Sequence, residues 1–169
     1  MSRAWQLGNA LWLQLGWWGC VLGAERGWLL PLVGVGLCVH LACCADSAAE
    51  FRALVRVALC GWLLDTGLGL AGVFRFPGAL PPPWLLLLWP VFASSLRHSL
   101  AWAARPLWRG AVLGALGGPL AYLSGARLAN VDLPLGELAS GLLLAAIWAL
   151  WLPLMLRLAN ARQANPHQT

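Results

Sequence analysis

Six apolar runs, each close to the length that crosses a bilayer, occupy most of this chain. A helix needs about 20 apolar residues to span the hydrocarbon core. The runs are Trp5–Ala24, Gly27–Ala45, Arg52–Val73, Trp84–Ala104, Leu107–Leu128 and Pro134–Leu156. Hydrophobic residues make up 60% of the sequence and charged residues 10%, against roughly 25% charged in soluble domains. One small domain keeps too much surface exposed to hide that much apolar area from water. The expectation is an all-α, polytopic bundle of six transmembrane helices, residues 1–159, followed by a short polar cytoplasmic tail, 160–169. The links are short. Glu25-Arg26 and Asp46 to Glu50 separate the first three runs, and Phe74 to Pro83 excludes continuous helix through its Pro-Gly and Pro-Pro-Pro steps. Arg3, an apolar stretch and small residues give the first run the look of a signal peptide, but further spans follow, so a retained helix is expected. Trp17-Trp18-Gly19-Cys20 is a poor lipobox.

All eleven basic residues are arginines. With the N-terminus inside, eight fall on inner segments (Arg3, Arg52, Arg56, Arg97, Arg105, Arg109, Arg157 and Arg162) and three on outer ones (Arg26, Arg75 and Arg127). Basic residues favour the cytoplasmic side, so N-in, C-in is expected. The net charge of +5 is thereby used up, and nucleic acid is not an expected partner. Trp5, Trp102 and Trp108 fall at the inner boundary, Trp28 and Trp84 at the outer one, as an aromatic belt requires. The five cysteines, Cys20, Cys38, Cys43, Cys44 and Cys60, contain no Cys-x-x-Cys pair and read as small packing residues.

Gly110, Gly114 and Gly118 recur every four residues, and Gly117, Ala121 and Gly125 form a second row beside them. Such rows let helices approach closely, within the bundle or in a homo-oligomer. Pro119 is expected to kink the fifth helix or free carbonyls there, and Pro90 and Pro153 to kink theirs.

Asp65 stands near the middle of the third run, flanked at four-residue spacing by Gly61 and Gly69. A carboxylate at membrane depth is costly unless paired, hydrated or protonated, which makes it a candidate functional residue. Ser94, Ser95, His98 and Trp102 form a stripe on the fourth run, with Arg97 beside it. Asn9, His40 and Arg56 lie at similar depth, so Asn9, His40, Arg56, Arg97 and His98 are candidates for one inner-leaflet polar cluster. It would hold an anionic headgroup or carboxylate through the arginine fork. A metal or other cofactor is not expected: the apolar runs hold two of the three histidines, His40 and His98, with no spaced carboxylate partner and no His-x-x-x-His. Tyr122, Arg127, Asp132 and Glu137 sit near the outer face, where Arg127 can pair with Asp132 or Glu137. No Gly-x-Ser-x-Gly, phosphate loop, dinucleotide fingerprint or zincin helix is present. Ser94 or Ser95 lies one turn from His98, too common a spacing to argue for a nucleophile.

Asn9, Leu13-Gln14-Leu15-Gly16-Trp17, Leu64-Asp65, Phe76-Pro77-Gly78, Leu88-Trp89, Arg97-His98-Ser99, Gly117-Gly118-Pro119-Leu120-Ala121-Tyr122 and Gly125-Ala126-Arg127-Leu128 resemble the bacterial domain of unknown function 2878 family. The resemblance covers nearly the whole chain. It implies a small polytopic inner-membrane protein and no activity, and an association of relatives with lipid-modifying genes points toward a lipid-linked role. A weaker likeness to the tryptophan-rich sensory protein family, from Pro82-Pro83-Trp84, fails because the proline motif here follows the third helix. Three functions follow as expectations: binding or translocation of a small amphiphile or lipid; a lipid-modifying membrane enzyme or its accessory subunit; and a structural partner of another membrane protein. In the first, Asp65 with Arg97 and His98 supplies polar contacts.

Overall fold

The protein was analysed as a computed structural model, which describes residues 2–76 and 81–161. The described residues form six α-helices: α1 (Arg3–Leu22), α2 (Leu29–Cys43), α3 (Ser47–Leu70), α4 (Pro83–Leu96), α5 (Leu107–Leu128) and α6 (Glu137–Asn160). Their only β-type pairing is an isolated bridge between Arg75 and Asp132. Two helices, α3 and α6, are long and apolar enough to cross a membrane by length and composition, while α2 and α4 are apolar but shorter. The Pro77-Gly78 step and the tail residues 162–169 lie outside the described residues.

Local chemistry explains most of the boundaries. Ser2 accepts the Trp5 amide at the start of α1, and Asp46 accepts the Ala49 amide at 2.8 Å at the start of α3. These are N-cap bonds that satisfy orphan amides. The cap at Asp46 begins α3 five residues before the expected Arg52 and brings Glu50 into its first turn. Prolines open α4 and α5, where a missing N–H costs nothing. Gly136, at φ 77°, delays α6 to Glu137 instead of Pro134. The α5 helix runs unbroken through Pro119, so of the kink or broken turn expected there the broken turn is absent.

The fourth span is corrected most. It was expected to continue to Ala104, but α4 stops at Leu96, and a turn leads into a 3-10 segment at Ala101–Ala104. Asn9 on α1 makes this stop. Its Nδ2 donates to the Ser94 carbonyl at 3.0 Å, and its Oδ1 accepts from Ser99 N at 3.1 Å and Ser99 Oγ at 2.7 Å. In a continuing helix the Ser94 carbonyl would serve His98 N, and Ser99 N would serve the Ser95 carbonyl. The latter instead accepts from His98 N and Leu100 N, closing the turn. Asn9→Ala is expected to cost about 1–3 kcal/mol, the usual effect of stranding buried hydrogen-bonding groups, and to lower the midpoint in thermal denaturation of the purified protein.

The α5–α6 interface is the most extensive in the bundle, and α4 touches α1, α2, α3 and α6. Gly110, Gly114 and Gly118 face α6 along this interface, against Leu156, Trp148 and Leu152. At the centre Trp89 stacks on Trp148, with ring centroids 5.8 Å apart. The outer faces are apolar. Leu7, Leu63, Leu70, Leu138 and Leu150 are each more than 70% exposed, while Asn9, His40, Glu50, Asp65, Ser94, Ser95 and Ser140 are buried.

Candidate functional site

Two buried polar centres lie on α3. They sit fifteen positions apart, at Glu50 and Asp65, so the helix rise separates them by roughly 22 Å.

The first centre is built around Glu50, 1% exposed. One carboxylate oxygen, Oε2, accepts from Arg97 Nη1 at 3.0 Å. The other, Oε1, lies 3.2 Å from His40 Nε2 and 3.3 Å from His98 Nε2. The Cys44 thiol completes the group, 3.6 Å from His40 Nε2 and 3.8 Å from His98 Nε2. Trp5 closes it from α1. Its ring stacks on His40, and its indole N–H donates to His98 Nδ1 at 3.0 Å. Four chain segments therefore contribute: the start of α1, the end of α2 and its cap, the first turn of α3, and the turn after α4. Placing Glu50 in that first turn also suits a carboxylate, since a helix N-terminus favours negative charge. A buried ion pair tolerates desolvation only with good geometry and further hydrogen bonds; Glu50 has further partners in the two histidines, whereas Arg97 Nε is buried without one.

The arrangement is not a nucleophile–base–acid triad. In a triad the nucleophile and the acid use opposite ring nitrogens of the histidine. Here Cys44 and Glu50 both approach Nε2, on His40 and on His98 alike. The donor atoms point at a shared centre instead of forming a relay.

The second centre is Asp65, 1% exposed. Trp89 Nε1 donates to its Oδ2 at 2.6 Å and Tyr122 OH donates to its Oδ1 at 2.6 Å. Gly61 permits this: a Cβ there would fall inside the Trp89 ring. Beside the centre lies an apolar cleft of about 90 Å³, walled by α1, α4, α5 and α6 through Trp17, Leu88, Trp89, Phe92, Tyr122 and Trp148, among others. One water needs roughly 10–15 Å³ by the same measure. The polar atoms of Trp89 and Tyr122 are turned to Asp65, which pins two aromatic rings of the wall.

The expected cluster is thus assembled in part. His40, Arg97 and His98 come together. Arg56 does not join them: its Nε donates back to the Arg52 carbonyl at 3.1 Å on another face of α3. Asn9 serves the α4 stop. Ser94 and Ser95 donate to the Val91 and Phe92 carbonyls of their own helix, and Ser94 Oγ also accepts from Trp12. Neither serine hydroxyl bonds to the His98 ring. Asp65 is held by Trp89 and Tyr122 and makes no bond to Arg97 or His98. At the other end Arg127 pairs with Glu137 through two hydrogen bonds, and Asp132 bridges to Arg75 through backbone. Glu50, Cys44 and Trp5 were missed. The carboxylate partner that the histidines lacked in sequence was Glu50, read as a link residue. The available signal was Asp46 followed by an acidic residue within one turn, a helix-start pattern that moves Glu50 into the bundle.

No curated protein and no solved structure matches this chain. Residues 6–154 match the family described as protein of unknown function (DUF2878). With most of its length covered, α2 to α5 whole and α1 and α6 in large part, the chain belongs to that family.

Proposed function

We propose that this is a polytopic protein of the bacterial inner membrane whose apolar cleft binds the acyl portion of a small amphiphile or lipid. The cleft beside Asp65 carries the reading, because it is aromatic and aliphatic and lies between helices, the usual setting of a small-molecule site. The bilayer assignment is supported by the inversion of polarity across the helices: large leucines outside, hydrogen-bonded carboxylates and histidines inside. A soluble fold of this size rarely exposes contiguous apolar surface on this scale. The helices α2 and α4, of 15 and 14 residues, are shorter than a full span, and local thinning of the bilayer accommodates such a mismatch at modest cost. The arginine count argues for both termini inside. Asp65 acts here as the anchor of the wall and not as a contact to the headgroup. A role as structural partner through the Gly110, Gly114 and Gly118 row is disfavoured, since α6 already covers that row.

Native mass spectrometry of gently solubilised protein, with extracted lipids identified in parallel, tests the reading. Wild type is expected to retain an acyl-chain species that Ala121→Phe, which fills the cleft, releases while keeping its fold by circular dichroism. Equal retention by both proteins would sink it.

A further inference from the structure

The Glu50 centre supports a site of different chemistry. We propose that His40, Cys44, Glu50 and His98 form a four-coordinate site for a divalent transition metal of the zinc class. One ligand atom from each of His40, Cys44, Glu50 and His98 lies within 4.8 Å of the other three. Zinc binds nitrogen at about 2.0–2.1 Å, carboxylate oxygen at about 2.0–2.2 Å and sulfur at about 2.3 Å in a tetrahedron. These bond lengths require edges of about 3.4 Å between nitrogen and oxygen and about 3.6 Å between nitrogen and sulfur. The site has 3.2 and 3.3 Å for the first kind, and 3.6 and 3.8 Å for the second. Four of the six edges of the tetrahedron therefore match.

The donor set fits the same class of ion. Imidazole and thiolate together select zinc-like metals over magnesium or calcium, which prefer oxygen. Cys44 thiolate and Glu50 carboxylate neutralise a dication, and Arg97 stays on Glu50 Oε2 as the outer partner that orients the ligand. Four protein ligands leave no open position, the signature of a structural site. It would tie α2, α3 and the turn after α4 together. On binding, the Cys44 thiol gives its proton to solvent.

Trp5 opposes the metal. An indole N–H only donates, so its bond to His98 Nδ1 places the His98 proton on Nε2, facing Glu50. Coordination through Nε2 moves that proton to Nδ1, where it meets the Trp5 N–H donor to donor. Metal and the Trp5 bond are mutually exclusive, and Trp5, half-buried at the first turn of α1, must swing away when the site loads.

The test uses the full chain in detergent, stripped with chelator and reloaded with zinc or cobalt(II). About one zinc per chain is expected, the content of a single tetrahedral site, and cobalt should give a thiolate-to-metal charge-transfer band with intense tetrahedral d–d absorption. Cys44→Ser should abolish the charge-transfer band, and His40→Gln should weaken binding by at least roughly 10–100-fold, the loss seen even for outer-shell changes. Trp5→Phe should bind zinc roughly five- to tenfold tighter, the equilibrium worth of one such hydrogen bond. Folded wild type without the thiolate band, or zinc content unchanged in both Cys44→Ser and His40→Gln, would overturn the site. A Trp5→Phe protein that binds no tighter would overturn the competition.

Discussion

Glu50→Ala is expected to destabilise the protein by about 3–5 kcal/mol, the cost of removing one partner from a buried ion pair. Arg97 would keep its charge with its side chain 11% exposed and no carboxylate to meet it, and both histidines would lose their acceptor. The loss should appear as a large drop in thermal midpoint and in monodisperse yield, measured with chelator present so that no bound metal contributes. Arg97→Leu on its own should also be destabilising. The Glu50→Ala/Arg97→Leu pair should lose less than the two single changes combined, because an apolar replacement of a whole buried pair leaves no stranded charge. Equal, additive losses would mean that Glu50 and Arg97 contribute independently, against the geometry of this centre.

Gly114→Ala carries the second large effect. A Cβ at Gly114 would run into the Trp148 backbone carbonyl and stand 3.0 Å from Leu152 Cβ. A backbone group on α6 cannot rotate away, so α5 and α6 must separate along their whole interface. Overpacking of this kind costs about 1–3 kcal/mol and at times more, and Gly114→Leu should exceed Gly114→Ala. Gly117, three residues on, is the control. A Cβ there meets nothing within 4 Å, so Gly117→Ala should raise stability by roughly 0.5–1 kcal/mol through the lower backbone entropy of alanine. Unfolding curves for the two alanine variants should therefore shift in opposite directions. If Gly114→Ala unfolds like wild type, the row does not set the spacing of α5 and α6.

The helical order was legible in sequence because each apolar run is bracketed by proline, glycine or charge. The fifth helix matches its expected bounds, Leu107–Leu128, since Pro106 marks its start within the sequence itself. The fourth was overextended because its stop is written elsewhere: Asn9, 85 residues away from Ser94, takes the carbonyl that would have carried the helix on. The site was legible where a residue is unusual for its surroundings. His40, Arg97, His98, Asp65 and Tyr122 stood out as polar groups in apolar runs. Glu50 and Cys44 did not, because an acidic residue beside a turn and a cysteine in a helix end are ordinary until tertiary contacts bring them together. Nor did spacing reveal that Asp65 belongs to Trp89 and Tyr122, which lie 24 and 57 residues from it.

The Asn9 staple has a temporal side. The groups it satisfies belong to a turn synthesised long after α1, so the chain holds a polar side chain in reserve until the fourth helix arrives. Until they meet, nothing local tells α4 to end at Leu96, and Arg97 and His98 would be carried onward as helix. The bend that delivers Arg97 and His98 to Glu50 is thus made by assembly and not by the segment that bends. The Glu50 centre depends on that contact, since the meeting of the first helix with the fourth places Arg97 and His98 beside Glu50.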